Sequence, residues 1–423
     1  MPPDDVVRRP FNQSCWRCMM SSQSGEQKMQ WAIRHMPILS TIADRFEKER
    51  PFAGLNVVIA LHLEAKTANL AYVMLRGGAH VAITASNPIT TQDDVAEALA
   101  ERGVVVFAKR GETPAEYRDY FSKVLATKPN LLIDDGGDLV NSVHFEHPEL
   151  LPDIVGACEE TTTGVIRDRA LARAGKLSFP VIGVNEGQCK HLFDNRFGTG
   201  QSAWDGILRT TNMNIAGKVA VVAGYGWVGK GVAMRARGLG AQVVVTEIDP
   251  VKAVEAHMDG FQVMPMIEAA RIGEIFITCT GDTKVITREH FALMRDGAVL
   301  CNAGHFDVEV DVQYLQNRDP GHHEVRHNIE EYTYDGKRLY VLGEGRLVNL
   351  ACADGHPIEI MDLTFALQAL SAEYLVKHQA SLPKQLITVP EAIDEMASRA
   401  FLASRGLAID TLTEEQKAYL DSY

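Results

Sequence analysis

The sequence predicts an α/β protein of two doubly wound parallel-sheet (Rossmann-like) domains, with a functional cleft between them and a short helical C-terminal segment. Three observations predict it. Short apolar runs at 57–60, 81–84, 104–108, 131–133 and 180–184 alternate with segments of helical composition such as 65–75 and 91–102. Parallel strands need such crossover helices, so this alternation indicates a parallel sheet covered on both faces. The pattern restarts near Thr210 and runs to about Leu347. At 423 residues the chain also exceeds what one hydrophobic core usually serves.

In chain order, the opening stretch to Lys28 is polar, proline-bearing and without period, which predicts a flexible N-terminal arm over 1–28. Cys15 and Cys18 form a CxxC with no second ligand pair, so no zinc site is expected there. The two αβ units follow, and the tail from Pro357 reads as mostly helical. Composition narrows the class. Apolar residues at 46% and charged residues at 23% exclude a wholly disordered or fibrous chain. A net charge of -13 argues against coating nucleic acid. No apolar run reaches the roughly 18–20 residues of a membrane span, and the first residues lack a secretory signal's apolar core. Seven scattered cysteines fit free thiols in a cytoplasmic protein.

The sharpest motif is GYGWVG, at Gly224, Gly226, Trp227, Val228 and Gly229, directly after the apolar run 218–223 and before a helix of small residues. Gly224 permits the tight turn, Gly226 lets the backbone approach a pyrophosphate, and Gly229 lets the helix pack close to the strand. The helix N-terminus then offers free N–H groups to phosphates. The next strand, 242–246, ends at Glu247, whose carboxylate would accept from both ribose hydroxyls and repel a 2′-phosphate, selecting NAD. Asp249 is the alternative ribose ligand.

Other polar residues follow predicted strands, where doubly wound sheets bind ligands. His62 follows the first strand, although a histidine there is more often structural. Asp134, Asp135 and Asp138 surround two glycines after 131–133 and read otherwise as a solvated acidic turn. Glu159 through Gly164, EETTTG, reads as a helix start whose hydroxyls also suit a sugar. Lys190 and Asp194 are an i,i+4 pair of little consequence or a base with its orienting acid. His305 follows Asn302 and Gly304 at a strand end, and Asn349 and His356 lie where the chain returns to the first unit. His322, His323, Glu324 and His327 have metal-compatible spacing but read as a surface loop.

Taken in order, HLEAKTA, SNPITTQDDVA, DDGGDLV, EETTTGV, FDNRFGTGQS, VAGYGWVGKG, NAGHFDVEVD and EGRLVNL resemble S-adenosylhomocysteine hydrolase, from about residue 29 to the end. The resemblance implies reversible hydrolysis of S-adenosyl-L-homocysteine to adenosine and homocysteine by transient 3′-oxidation, C4′ deprotonation, elimination and water addition. It implies one NAD per subunit, a homotetramer, a substrate domain over 29–200 completed by 352–400, an NAD domain over 201–351, and 401–423 at a subunit interface. By resemblance, Lys190 and Asp194 handle the 3′-OH proton beside Asn195 and Asn185. His62 and Asp135 carry protons at C4′ and C5′, and Glu160 and Thr161 hold the ribose. His305 and His356 close over the sugar and base. Thr161, Thr162, Thr163, Asn195, Asn302, Gly304 and Asn349 join the glycine turn on NAD. Lys190 needs a lowered pKa for its task, which burial beside the nicotinamide's positive charge would favour. No metal is implied beyond a monovalent cation near Gln92 and His356.

Three departures stand out. Most relatives have Thr at Glu64, Glu or Gln at Lys66, and Met at Asp354, near the purine edge with Thr67. Lys66 donating to O6 and Glu64 accepting from N1–H would suit hypoxanthine, giving S-inosyl-L-homocysteine as the alternative substrate. Equally, Glu64 and Lys66 could pair with each other and leave adenine binding intact. The chain also stops at Tyr423, without the Lys/Tyr tail of longer relatives, so weaker NAD binding is expected. An inactive NAD-binding regulatory relative and an NAD-dependent hydroxy-acid dehydrogenase rank lower, because every catalytic position stands.

Overall fold

The computed structural model describes residues 13–422, with side chains from Ser21 onward; Cys15 and Cys18 fall outside the described side chains. Along the chain run β1 (Asn56–Ala60), β2 (His80–Thr84), β3 (Val105–Phe107), β4 (Leu131–Asp134), β5 (Gly156–Glu159) and β6 (Val181–Gly183). Then come β7 (Val219–Ala223), β8 (Gln242–Thr246), β9 (Gln262–Val263), β10 (Ile275–Thr278), β11 (Ala298–Asn302), β12 (His323–Arg326), β13 (Ile329–Tyr334), β14 (Lys337–Leu342) and β15 (Leu386–Thr388).

Two sheets result. The first has the order β15-β6-β5-β4-β1-β2-β3, and the second β12-β13-β14-β11-β10-β7-β8-β9. The first is parallel throughout. The strands read as unbroken apolar runs because helices cover both faces. In β1, Val57 and Ile59 serve one core while Val58 and Ala60 serve the other. In β7, Ala220 and Val222 face one core and Val221 the opposite one.

Strand order reverses beside β1, which lies between β2 and β4, and beside β7, which lies between β10 and β8. Crevices open at the carboxyl ends of such strands, so His62, Asp135 and the glycine turn stand at switch points. The chain returns to the first sheet through the helix Ile358–His378. Buried Asp362 on that helix accepts from Ile38 N and Leu39 N at 3.1 and 2.8 Å. Asp394 likewise accepts from Gln188 N and Cys189 N, both at 2.9 Å.

Two expectations, the loose N-terminal arm and the His322 loop, are corrected. The N-terminal arm is not loose over its whole length, since Gln13–Arg34 is a helix lying against the helix Asp93–Glu101. Small residues allow the approach: a Cβ on Gly25 would stand 1.8 Å from Asp94 O, and Ser24 Oγ donates to Asp94 Oδ2 at 2.8 Å. β5 is a strand that the apolar runs did not predict, buried throughout, and EETTTG after it starts the helix Thr162–Arg173, as expected. The tail is mostly helical, as expected, and adds β15 as an edge strand. The His322 region is no loop; His323–Arg326 is an exposed edge strand, antiparallel to β13, so the second sheet is mixed.

Gly25→Ala tests the helix contact. It is expected to destabilise the fold by about 1–3 kcal/mol through overpacking, read as a lower Tm, whereas a loose arm would leave Tm unchanged.

Candidate active site

Two clusters form at the carboxyl edge of the first sheet. The first surrounds Lys190. Its helical turn, Lys190–Gly198, is π-helical, a wider winding often found at functional sites. Lys190 Nζ is buried and lies 3.0 Å from each of Glu160 Oε1, Asp194 Oδ1 and Asn195 Oδ1. An ammonium has three donors, and all three are used. Asn195 Nδ2 donates to Asn185 Oδ1 at 2.9 Å, and Asn185 Nδ2 to Thr162 Oγ1 at 3.0 Å. Behind the acids, Thr364 Oγ1 donates to Asp194 Oδ2 at 2.7 Å and Gln368 Nε2 to Glu160 Oε2 at 2.6 Å. His356 Nδ1 is 2.9 Å from Asp194 Oδ1, and its Nε2 is 3.0 Å from Thr199 Oγ1.

Electrostatics follow from this packing. Burial alone would lower the Lys190 ammonium, but Asp194 and Glu160 outweigh it and hold Lys190 protonated. This reverses the lowered pKa expected from the sequence, because two carboxylates that only the fold brings together face the amine. Burial raises Asp194 as well, yet Lys190 and His356 overcome it and keep Asp194 ionised. Glu160 goes the other way: burial pushes it to about 7 against the pull of Lys190.

The second cluster joins the two sheets. His62 Nε2 lies 3.2 Å from Asp135 Oδ2, and His62 Nδ1 is 2.9 Å from Thr90 Oγ1. Ser86 Oγ donates to the same Asp135 oxygen at 2.8 Å. His305, from the second sheet, brings Nδ1 to 3.7 Å from Asp135 Oδ1, a buried atom with no hydrogen-bond partner among the described residues. Burial lowers His62 to about 4, so it is neutral at physiological pH. Gly136 must be glycine twice over: its φ is +99°, and a Cβ would stand 2.5 Å from His305 Nε2.

Residues that sequence reasoning missed hold these loops. Glu159 Oε1 accepts from Gly136 N at 2.9 Å, Thr161 N at 3.0 Å and Thr161 Oγ1 at 2.9 Å. Asp134 accepts from Asp135 N and Val140 N at 3.0 and 2.9 Å. Burial raises Asp134 to about 8 and Asp168 to about 7. Thr364 and Gln368 had a signal, being polar residues four apart within the largely apolar run 363–370 of the long helix Ile358–His378.

The glycine turn matches its expected roles. Gly224 has φ +94°, and a Cβ on Gly229 would stand 1.9 Å from Gly224 O. A Cβ on Gly226 would meet only open space, so the backbone there is exposed to an approaching pyrophosphate. Trp227 begins the helix Trp227–Gly238 and stacks on His191, with Val228 packed against the core. Glu247 accepts from Tyr225 N at 2.6 Å and Ile248 N at 2.7 Å at the end of β8. Asp249 instead caps the next helix through Val251 N. Asn349 is buried, and its Oδ1 has no partner among the described residues, which suits an amide-bearing cofactor. Thr163 lies half-buried beside Thr161 and Thr162.

Two expectations shift. Asn302 spends its whole amide on its own loop and the end of β10: Oδ1 accepts from Thr278 Oγ1 and Gly304 N, and Nδ2 donates to Gly304 O and Phe306 O. It holds the loop that carries His305. A Cβ on Gly304 would stand 1.7 Å from buried Glu309 Oε1, so Gly304 is required for packing. Near the expected purine edge, Lys66 Nζ pairs with Glu64 Oε2 at 2.7 Å. Glu64 also accepts from Lys66 N, Thr67 N and Thr67 Oγ1, filling its four acceptor positions as a helix cap, so it is not free for N1–H.

Residues 15–147 match the family S-adenosyl-L-homocysteine hydrolase, and residues 195–355 match S-adenosyl-L-homocysteine hydrolase, NAD binding domain. A Thermococcus kodakarensis protein named Adenosylhomocysteinase is 55% identical over 97% of this chain and 97% of its own length.

The chain belongs to the S-adenosyl-L-homocysteine hydrolase family.

A Methanocaldococcus jannaschii protein named S-inosyl-L-homocysteine hydrolase is 55% identical over 95% of this chain and 97% of its own. An Aquifex aeolicus Adenosylhomocysteinase is 52% identical over 95% and 97%. The chain is therefore a hydrolase carrying the family's NAD-binding domain, and GYGWVG lies within that domain.

Two measurements follow. Lys190→Met leaves Glu160 and Asp194 as buried acids without their cation and is expected to cost about 3–5 kcal/mol, read by denaturant unfolding. Glu160, Asp134 and Asp168 all have raised folded pKa values, so their contribution to stability is complete below their ordinary values of 4.5 and 3.8 and is lost as pH rises through about 7–8. Asp168, buried with neither oxygen hydrogen-bonded among the described residues, carries part of this slope. Asp168→Asn is expected to flatten the fall of Tm between about pH 5 and pH 8.

Proposed function

We propose that the chain catalyses NAD-dependent, reversible hydrolysis of S-adenosyl-L-homocysteine to adenosine and L-homocysteine. The observation that carries the reading is the Lys190 cluster, in which one buried ammonium meets Glu160, Asp194 and Asn195 at equal distance. A ribose 3′-hydroxyl placed there finds both a donor and an acceptor. Lys190 stabilises negative charge growing on the 3′-oxygen, and Asp194 with Glu160 takes up the proton. Glu160, at about 7, is suited to exchange near neutral pH. Thr161 and Glu160 hold the sugar's hydroxyls, and Asn195, Asn185 and Thr162 hold the Lys190 side in register.

When bound, NAD supplies reversible oxidation at C3′, which acidifies C4′–H. Gly224, Gly226 and Gly229 would seat its pyrophosphate, Glu247 its adenosine ribose, and Asn349, Thr162 and Thr163 its nicotinamide end. Neutral His62, oriented by Thr90 and Asp135, removes and returns the proton at C4′ and activates water at C5′. His305 closes on Asp135 from the other side and excludes bulk water.

The reading assigns the substrate to residues 29–200 with 352–400, and NAD to residues 201–351. From family membership it extends to a cytoplasmic homotetramer in one-carbon metabolism, with 401–423 at a subunit interface; light scattering checks the assembly.

A second reading, S-inosyl-L-homocysteine as the preferred substrate, is favoured by Lys66. Its ammonium uses one donor on Glu64 and one on the Asp354 carbonyl, at 2.8 Å, leaving a third for a base. Hypoxanthine O6 accepts such a donor; adenine's amino group does not.

The test is to load the protein with NAD, supply each thioether separately and measure released homocysteine. Turnover of the adenosyl substrate is expected. A kcat/KM about 100-fold higher for the inosyl substrate would establish the second reading. No turnover of either would overturn both. His62→Gln is expected to lower kcat about 100-fold or more while NAD remains bound.

A further inference from the structure

One polar cavity of about 330 Å³ is lined by Lys28, Glu64, Thr90, Gln92, Arg209 and Asp354, among others. It adjoins the turn 351–356 and is lined by Gln92, one acceptor expected of the monovalent-cation site, and by Asp354; His356, the other residue expected there, is not part of its lining. Gln92 Oε1 and the Asp354 carbonyl already accept from protein cations. Lys66 Nζ, buried on the first unit's leading helix, donates to the Asp354 carbonyl at 2.8 Å across 288 residues of chain. Lys28 Nζ, from the N-terminal helix, donates to Gln92 Oε1 at 3.3 Å and to Asp94 Oδ1 at 3.0 Å. Arg209 holds the Asp354 side chain at 2.7 Å, so both ends of that residue face a protein cation. An alkali ion at this turn would sit against two ammonium groups and a guanidinium, and the acceptors it needs would have to be taken from them. The donor set does not fit an alkali ion.

We propose that Lys66, seconded by Lys28, is the cation of this site: a positioning residue that ties the turn 351–356 to the first unit and makes turnover independent of added Na⁺ or K⁺. Glu64 neutralises the buried charge, which would otherwise be costly to keep there. A carbonyl oxygen accepts from an ammonium much as it coordinates an alkali ion of similar charge and size. The turn carries His356, whose Nδ1 meets Asp194, so fixing the turn also fixes one neighbour of the Lys190 cluster. This inference rests on the proposed hydrolysis for its activity readout but not for its melting readout.

The experiment compares choline chloride, NaCl and KCl at equal ionic strength, using the NAD-loaded protein. Wild-type kcat/KM is expected to vary by less than about 2-fold, with the same Tm in all three salts. Lys66→Met is expected to lose about 10-fold or more in kcat/KM in choline chloride and to recover severalfold as KCl saturates the vacated carbonyl. Lys66→Arg keeps the charge and is expected to remain indifferent to salt identity. Saturable activation of the wild type by K⁺ or Na⁺ of about 5-fold or more, or a matching rise in Tm, would overturn the proposal, as would a Lys66→Met protein indifferent to K⁺ in both readouts. Should no thioether be cleaved, the proposed hydrolysis fails while the melting series still answers the ion question.

Discussion

A fully buried ammonium is the constraint around which the first unit is arranged. Lys190 cannot stay charged away from water unless each of its donors meets an acceptor and its charge is balanced. Glu160 arrives from the end of β5, while Asp194 and Asn195 arrive from the same π-helical turn. The π winding lets Asp194 and Asn195, four and five residues on, both reach one nitrogen. Each acid then needs its own support, and Thr364 and Gln368 reach back from the long helix to give it. The chain's return to the first sheet therefore completes the charge cluster as well as the core.

The His62 cluster depends on a different constraint, the reversal of strand order. Because β1 and β4 are neighbours, the residues just beyond their ends face one another, and His62 meets Asp135. His305 reaches the same carboxylate from the second sheet only because Gly136 has no side chain. The loop that presents His305 is built from within by Asn302 and Glu309, and Glu309 also accepts from Thr280 and Gly281. Polar residues beside a functional group are here often scaffolding for it, and the hydrogen-bond account of each amide separates the two roles.

Legibility varied with the range of the physics involved. The glycine turn was readable because its demands are local: a positive φ at Gly224 and a close approach at Gly229 follow from a few consecutive residues. His62 and Asp135 were readable as strand-end positions. Glu159 was not, because its task is to bridge the Gly136 and Thr161 loops, whose nearness depends on β4 lying beside β5. The N-terminal helix was missed for a similar reason. Its buried stripe is mostly small or polar at the start, Ser22 and Gly25 before Met29 and Ala32, and small residues such as Ser24 and Gly25 matter only once another helix lies against them.

The sequence by itself determined the two αβ units, the dinucleotide turn and the family, since strand–helix alternation and ordered motifs are properties of consecutive residues. It also supplied every charged group now found in the site. Tertiary structure alone decided what those groups are: that Lys190 stays protonated, that Glu160 lies near neutrality, that Glu64 is spent as a cap and that Lys66 reaches the Asp354 carbonyl. Protonation and hydrogen-bond availability depend on burial and on partners distant in the chain, and neither exists until the sheets and the long helix have packed.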